Sequence, residues 1–263
     1  MTLRSLFLES GQKPSSGWIQ FCWVALIFLL GTFGCVVVMS GSAGFSSGGW
    51  ESVWSYRTVF WKGWILTIFI SLLALLLSSL LGLAVALARR SSILPLRSVA
   101  LVYIEIERGT PFLVQIYFLY YVVFNSIGLE NRLVAGVLIL SLFSGAYLAE
   151  IIRAGIESIP ASQLESARAI GFTTLQIYRY VIVPQALRQI LPPLAGQFAS
   201  LIKDSSLLMI IGLGEFTLAA TQVNSATYRS LECYLPLALG YLLLTLPISF
   251  ASKILENRLR YET

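Results

Sequence analysis

The sequence of 263 residues contains no histidine. Histidine is the usual proton shuttle near neutral pH and the commonest metal ligand, so its absence excludes a Ser-His-Asp triad and most metal sites. Cysteine is scarce as well: Cys22, Cys35 and Cys233 stand far apart and follow no disulfide or zinc spacing. We therefore expect no His-based catalytic centre, no disulfide framework and no metal site in this chain.

The sequence also lacks a phosphate-binding segment of the form Gly-x-x-x-x-Gly-Lys-Ser/Thr. Any work that needs ATP therefore requires a partner that binds it. The formal charge is +5, yet no run of Lys and Arg is long enough to indicate nucleic acid binding. In a membrane protein, such a basic excess first indicates cytoplasmic loops.

Charge is scarce throughout, and apolar residues dominate. Charged residues make up 12% and hydrophobic residues 57% of the chain, and the mean hydropathy is +0.79. A water-soluble fold of this size cannot bury that much apolar surface. The composition therefore excludes an ordinary soluble domain and predicts an integral membrane protein.

Six apolar runs are long enough to cross a bilayer, since a spanning helix needs about 20 mainly apolar residues. The runs are Trp18–Met39, Gly63–Ala88, Val99–Phe124, Leu133–Ile152, Leu191–Leu213 and Cys233–Ala251. We predict an all-α membrane protein with about six transmembrane helices.

The first run has two interpretations, a signal peptide or a membrane helix that is kept. A signal peptide has an apolar region of about 7–15 residues, and this run is longer, which favours the kept helix. The Gly/Ser-rich segment Ser40–Gly49 predicts a flexible connector after it. We expect residues 1–50 to form an extra N-terminal helix with its connector, and residues 51–263 to form a five-helix core.

Basic residues beside the runs indicate the orientation. With six spans and the N-terminus inside, twelve Lys and Arg residues fall on the cytoplasmic side and four on the outer side. This bias predicts that both termini lie in the cytoplasm.

A polar segment, residues 153–189, separates the fourth and fifth runs. Ser162 and Glu165 have the spacing of a capping box at a helix start. Gly171 stands where a left-handed turn would end that helix, so the spacing predicts a short helix over Gln163–Ile170.

A second helix follows in the same segment. Thr173 and Gln176 repeat the capping spacing, and Pro184 would limit or kink this helix. Two interpretations stay open for the helix pair. It is either a structured connector or a docking surface for a partner that binds ATP, since this chain has no ATP site of its own.

This segment carries a family resemblance. Glu165-Ser166-Ala167, then Gly171, then a Val-Ile-Val run ending in Pro184 resembles the EAA loop of bacterial ABC importer permeases. Ser166 departs from the usual Ala, a small change that does not obstruct packing. The resemblance implies that Glu165, Ala167, Gly171 and Pro184 belong to an ATPase-coupling loop.

Four further segments narrow the resemblance to permeases for polar amino acids. They are Glu105–Gln115 with its Arg-Gly-Thr-Pro sequence, Gly145–Gly155, Leu191–Pro193 and Leu201–Leu207. With the EAA loop they extend over about residues 55–260. The chain is identified as a member of the polar amino acid uptake (His/Gln/Arg-type) family of ABC importer permeases.

This resemblance implies the transmembrane permease subunit of an ATP-binding cassette importer for polar amino acids. It implies a multi-pass protein of the bacterial cytoplasmic (inner) membrane, with no cofactor and no covalent chemistry of its own. The implied partners are an identical or related second permease, ATPase subunits that bind ATP and Mg, an extracytoplasmic amino acid-binding protein and the lipid bilayer, without nucleic acid.

Charged residues near the third run are candidates for a substrate path or gate. Glu105 and Arg108 are three residues apart and share a helical face, so they form either a local ion pair or a gate or substrate contact. Pro111 would kink the helix that follows them.

Polar residues within other runs are further candidates for the path. Lys203 and Asp204 lie deep in the fifth run, where charges rarely face lipid, so they either pair with another helix or contact a ligand. Gln115 and Tyr147 either line a cavity or hold helices together.

Two other functions compete with the ABC permease. An ion-coupled secondary transporter often needs two similar halves, and the sequence has no internal repeat. A membrane scaffold without transport would not need the capped loop or the buried Lys-Asp pair. Co-purification of an ATPase discriminates among the three, since only the first needs it.

Overall fold

The computed structural model describes residues 47–259, with side chains for residues 49–256. All secondary structure in this part of the chain is helical, and it contains no strand. The predicted all-α fold is therefore confirmed. The predicted first span, Trp18–Met39, lies outside the described residues.

Ten α-helices run through the described part of the chain, and three of them continue into tighter or wider helical turns. They are α1 (Ser47–Trp54), α2 (Arg57–Arg89), α3 (Leu94–Gly109), α4 (Phe112–Tyr117, continued by π-helical Phe118–Phe124), α5 (Arg132–Glu157), α6 (Ala161–Ala169), α7 (Thr174–Ile177, continued by π-helical Tyr178–Ile182), α8 (Val183–Asp204, continued by 3₁₀-helical Ser205–Ile211), α9 (Phe216–Thr227) and α10 (Ser230–Leu259).

Four helical stretches are long and apolar enough to cross a membrane: Arg57–Arg89, Arg132–Glu157, Thr174–Ile211 and Ser230–Glu256. Phe112–Phe124 is a shorter apolar helix. These five stretches overlap the second to sixth predicted runs, in the predicted order.

The predicted third run is not one continuous helix. α3 ends at Gly109 and α4 begins at Phe112, with Thr110 and Pro111 in extended conformations between them. Proline has no N–H to donate, and its ring disfavours the helical conformation of the residue before it. The expected kink at Pro111 is therefore a complete break.

The apolar core forms where α2, α4, α5 and α8 meet. Ile70, Ile116, Leu140 and Leu201, one from each helix, are almost fully buried in a single cluster. Branched side chains from four helices thus close the centre of the bundle.

Close packing of α2 on α5 depends on a small residue. A Cβ atom added at Gly82 would lie 2.7 Å from the Cβ of Leu148 and 3.1 Å from the backbone nitrogen of Ala149. Only glycine at this position allows the backbones of α2 and α5 to approach so closely.

A buried carboxylate begins α9. Glu215 is fully buried, and its two oxygens accept from the backbone N–H groups of Thr217 and Leu218, each at 2.8 Å. The hydroxyl of Tyr241 also donates to Glu215 at 2.9 Å. This carboxylate caps α9 and joins it to α10.

The segment between the fourth and fifth runs starts later than predicted, because α5 continues to Glu157. Its first helix is α6, Ala161–Ala169, and Pro160 stands at the N-cap without a side-chain hydrogen bond. The predicted capping box of Ser162 and Glu165 is therefore wrong. Pro160 itself is extended, with φ −60° and ψ 136°, and the helix begins directly after it, which puts Ser162 inside the first turn.

The predicted turn at Gly171 is confirmed. Gly171 has φ +86°, its N–H donates to the carbonyl of Arg168 at 3.0 Å, and the N–H of Phe172 donates to the carbonyl of Ala167 at 3.0 Å. These two bonds make a Schellman motif, which satisfies the last carbonyls of α6.

The predicted second capping box is also confirmed. The Thr173 hydroxyl accepts from the N–H of Gln176 at 3.4 Å, and the Gln176 side chain accepts from the N–H of Thr173 at 2.8 Å. Pro184 does not end this helix. It lies in the first turn of α8, directly after the π-helical turn Tyr178–Ile182.

Candidate transport cavity and coupling loop

A cavity of about 340 Å³ lies between α5 and α8, beside the end of α3. It is lined by Arg108, Tyr147, Glu150, Ile151, Ala154, Gly155, Ser158, Gln189 and Pro193. Its wall thus runs from the break between α3 and α4 to the start of the segment that holds α6 and α7.

Glu150 organises the charges at this cavity. Nη1 of Arg89, at the end of α2, lies 2.6 Å from Oε2 of Glu150. Arg153 binds the other oxygen, Oε1, and also binds Glu157 one turn later. Nη1 of Arg108 lies 3.8 Å from Oε1. One carboxylate therefore joins the end of α2 and the end of α3 to α5.

Arg108 forms no ion pair with Glu105, so the local pair considered from the sequence does not exist. Glu105 is exposed, whereas the Arg108 guanidinium faces Glu150 and lies 5.6 Å from the ring centroid of Tyr147. The structure therefore brings two of the predicted path residues, Arg108 and Tyr147, to one cavity.

Gln115 does not line this cavity but bridges the break between α3 and α4. Its side-chain nitrogen donates to the carbonyl of Glu107 at 2.8 Å and to the hydroxyl of Thr110 at 2.8 Å. The side chain is buried. Of the two interpretations considered for Gln115, this geometry matches the one that holds helices together.

Lys203 and Asp204 lie at the end of α8 and do not line this cavity. Lys203 is exposed and Asp204 is half-buried. Within residues 49–256, neither side chain forms an ion pair or a hydrogen bond with another residue.

Residues 158–184, named the coupling loop after their predicted role, have a buried side and an exposed side. On the buried side, Ala167 and Ile177 pack in one cluster with Ile182, Ala186 and Ile190, and side chains of α5 pack against it. Ala167 therefore anchors the loop to the helices that line the cavity.

The exposed side of the loop surrounds the turn at Gly171. Glu165 and Gly171 are exposed, and Ile170 and Leu175 are 73% and 77% exposed. Sequence reasoning missed these two apolar residues. The signal was present in the sequence, because Ile170 directly precedes Gly171 and Leu175 follows Thr173 by two residues.

Sequence reasoning also missed Glu150 and Arg89. Glu150 is a single acidic residue inside an apolar run, which is a signal for function in a membrane helix. Its partner Arg89 is 61 residues away, and no local spacing connects the two.

Among the described residues, no group of three or more His, Cys, Asp or Glu side chains is placed to hold a metal ion.

The family profile described as the binding-protein-dependent transport system inner membrane component matches residues 79–261. The chain belongs to this family. It is therefore a permease subunit of an ATP-binding cassette importer, as predicted, and not an enzyme in its own right. The two competing interpretations, an ion-coupled secondary transporter and a membrane scaffold without transport, are therefore wrong.

Two named relatives match this chain over almost their whole length. The glutamine transport system permease protein GlnP of Escherichia coli (strain K12) is 36% identical over 214 residues, which cover 80% of this chain and 97% of GlnP. The probable glutamine ABC transporter permease protein GlnM of Bacillus subtilis (strain 168) is 37% identical over 203 residues, 77% of this chain and 94% of GlnM.

A solved structure has the same fold. The crystal structure of an amino acid ABC transporter with histidines superposes with a TM-score of 0.74 at 40% identity, covering 80% of this chain and 98% of that one. An inward-facing structure of the MetNI methionine ABC transporter shares the fold at 20% identity, with a TM-score of 0.61.

Membership of this family has general consequences for the permease. It is a multi-pass protein of the inner membrane, and it works with an ATPase and a substrate-binding protein. The binding-protein-dependent system named in the family description thus agrees with the predicted kinds of partner.

Proposed function

We propose that this permease imports polar amino acids through a path that includes the cavity beside Arg108. The observation that carries the proposal is the match, over almost the whole length of each, to relatives named for glutamine transport and to a solved amino acid transporter. The cavity supports it, since it is large enough for an amino acid and presents charged side chains together with the ring of Tyr147.

The candidates for the substrate path or gate are Arg108 and Tyr147 on the cavity wall, with Glu105, Gln115, Lys203 and Asp204 as further candidates away from it. Arg108 and Tyr147 are supported by their place on the cavity wall. Gln115 supports the path indirectly by holding the end of α3, which carries Arg108, against α4. Glu105 is supported only by its place on α3.

The permease works as a dimer with an identical or a related subunit. Lys203 supports this arrangement, because it is exposed in a single subunit although it lies in an apolar helical stretch. A charged side chain within a membrane rarely faces lipid. A second subunit covers this end of α8 and provides Lys203 and Asp204 with polar surroundings.

The coupling loop transmits ATP-driven movement to the cavity. Partner ATPase subunits, which bind ATP and Mg, dock on the exposed side of the loop, at Glu165 and Gly171. Ala167 then passes the movement to α8 through the cluster that it shares with Ala186 and Ile190. Pro184 lies at the junction of the loop with α8.

The junction between α5 and α8 supports a rigid transmission. A Cβ atom added at Gly155 would lie 2.3 Å from Cγ1 of Ile190, so the two helices touch directly at the cavity. A movement of the loop therefore displaces both helices that line the cavity, which opens and closes the path.

Residues 1–50 form an extra span with a connector, residues 51–263 form the permease domain, and both termini lie in the cytoplasm. The basic residues of the loops support this orientation. Single cysteines placed at Ser46 and Thr263, in a variant without native cysteines, test it. We expect an impermeant reagent to label Ser46→Cys but not Thr263→Cys in intact cells, and the reverse pattern would contradict the topology.

Reconstitution tests the function itself. The permease is purified with its ATPase and binding protein, placed in proteoliposomes and offered radiolabelled glutamine, histidine, arginine and leucine. We expect ATP-dependent uptake of at least one polar amino acid and none without ATP. Uptake of leucine alone, or uptake that does not need ATP, would contradict the proposal.

A further inference from the structure

Three arginines surround one carboxylate at the cavity, and two of them already occupy its oxygens. Arg89 holds Oε2 of Glu150 at 2.6 Å, and Arg153 holds Oε1. Nη1 of Arg108 lies 3.8 Å from Oε1, which is too far for a hydrogen bond. Among the described residues, the Arg108 guanidinium donates no hydrogen bond.

The cluster keeps a positive charge at the cavity. Its three arginines meet two carboxylates, those of Glu150 and Glu157, which leaves one positive charge in excess. Glu157 binds Arg153, and Glu105 and Glu107 are not within ion-pair distance of Arg108. The excess charge therefore belongs to Arg108, the arginine held most loosely.

The guanidinium of Arg108 is presented to the cavity rather than buried in the protein. Its side chain is 42% exposed, it lines the cavity of about 340 Å³, and the ring of Tyr147 lies 5.6 Å away. A planar pair of N–H donors held in this way fits the two oxygens of a carboxylate better than it fits a spherical anion.

We propose that Arg108 binds the α-carboxylate of the amino acid in the cavity, exchanging its long contact with Glu150 for two hydrogen bonds to the substrate. This inference rests on the proposed function and adds the substrate group that the site recognises. Arg89 and Arg153 serve as positioning residues, because they neutralise Glu150 and so leave Arg108 available to the substrate.

Chemical protection tests the assignment without transport. The full-length permease, in nanodiscs of phosphatidylcholine, is treated with phenylglyoxal, and the adducts are quantified by mass spectrometry. L-Glutamine at ten times its dissociation constant should slow modification of Arg108 by about tenfold, whereas L-glutaminamide, which lacks the carboxylate, should not. Arg97, an exposed arginine of the same helix, is the reference and should react at one rate throughout.

Two results would overturn the assignment. Equal protection by L-glutamine and L-glutaminamide would show that the carboxylate is not the recognised group. Protection by inorganic phosphate or by nanodiscs containing phosphatidylglycerol, without protection by L-glutamine, would assign Arg108 to a lipid phosphate instead.

A matched pair of variants tests the role in transport. Arg108→Gln should lower ATP-dependent glutamine uptake by about tenfold or more, since it removes a charge-assisted interaction, and Arg97→Gln, the same change outside the cavity, should not. Both variants are compared at equal amounts of folded protein. Wild-type uptake by Arg108→Gln would overturn the inference. Absence of uptake by the wild-type permease would instead contradict the proposed function, and the protection experiment would still report on Arg108.

Discussion

Nη1 of Arg89 lies 2.6 Å from Oε2 of Glu150, which fixes the end of α2 to the wall of the cavity. The same carboxylate holds Arg153 of its own helix. The charges that line the cavity are therefore also the charges that hold its helices in place.

Glu150→Gln should destabilise the permease, because it leaves Arg89 without its anionic partner and removes one of the two carboxylates that bind Arg153. We expect the free energy of unfolding to fall by about 2 kcal/mol, measured by thermal unfolding in detergent. Glu157→Gln is the matched control. Glu157 is 52% exposed and binds only Arg153, so its loss should cost about 0.5 kcal/mol. Equal effects of the two changes would show that the network does not stabilise the bundle.

Gly82→Ala should separate α2 from α5. The added Cβ atom would lie within 3.1 Å of backbone atoms of Ala149 and Gly145, which cannot move aside as a side chain can. Overpacking of this kind costs about 1–3 kcal/mol. Gly196→Ala is the control, since a Cβ atom there meets nothing within 4 Å. If Gly82→Ala unfolds at the same temperature as Gly196→Ala, α2 and α5 are not held by this contact.

Two loop substitutions should separate docking from capping. Glu165→Ala should leave the unfolding temperature unchanged, because Glu165 caps no helix, yet it should weaken binding of the ATPase in pull-down measurements. Thr173→Ala should lower the stability of the loop by about 1 kcal/mol, because it removes a formed capping box. Hydrogen exchange of residues 174–177 measures this. If Glu165→Ala lowers the stability of the loop but binds the ATPase normally, Glu165 has a structural role and does not dock the ATPase.

Asp204→Asn should impair transport or assembly of two subunits. The carboxylate is half-buried and has no ion-pair partner among the described residues, so its charge needs a partner from outside this subunit or from a ligand. Uptake and the mass of the solubilised complex are measured together. Wild-type values for both would exclude a role for this carboxylate.

Local patterns predicted the features that depend on neighbouring residues. The turn at Gly171 and the capping box of Thr173 follow from spacings of a few residues, and both are present. The capping box at Ser162 was wrong, because the helix starts after Pro160, two residues earlier than predicted. A stronger backbone constraint therefore overrides a weaker side-chain signal.

Features that join distant parts of the chain could not be predicted in this way. Arg108 was singled out for its charge, but its partner Glu150 is in another helix, and Arg89 comes from a third. No periodicity relates these positions. Lys203 and Asp204 could not be assigned a role for another reason. Among the described residues, neither has an ion-pair partner within 4.0 Å.

If the loop around Gly171 couples ATP hydrolysis to transport, as we propose, its left-handed turn must be kept. Gly171 has φ +86°, and a Cβ atom added there would meet nothing within 4 Å. A side chain at this position would therefore be disfavoured only by backbone strain or by contact with a docked partner. Gly171→Val imposes about 1–2 kcal/mol of strain, whereas asparagine tolerates this conformation. The control is therefore Gly171→Asn.

The deciding measurement is the rate of ATP hydrolysis stimulated by loaded binding protein, with the uptake rate, in proteoliposomes of the wild type and the two variants. We predict that Gly171→Val stays folded in the membrane but loses stimulated hydrolysis and uptake by about five- to thirtyfold, the shift that such a strain produces, while Gly171→Asn keeps most of both. Wild-type uptake by Gly171→Val, with the ATPase bound normally, would show that this loop does not couple hydrolysis to transport.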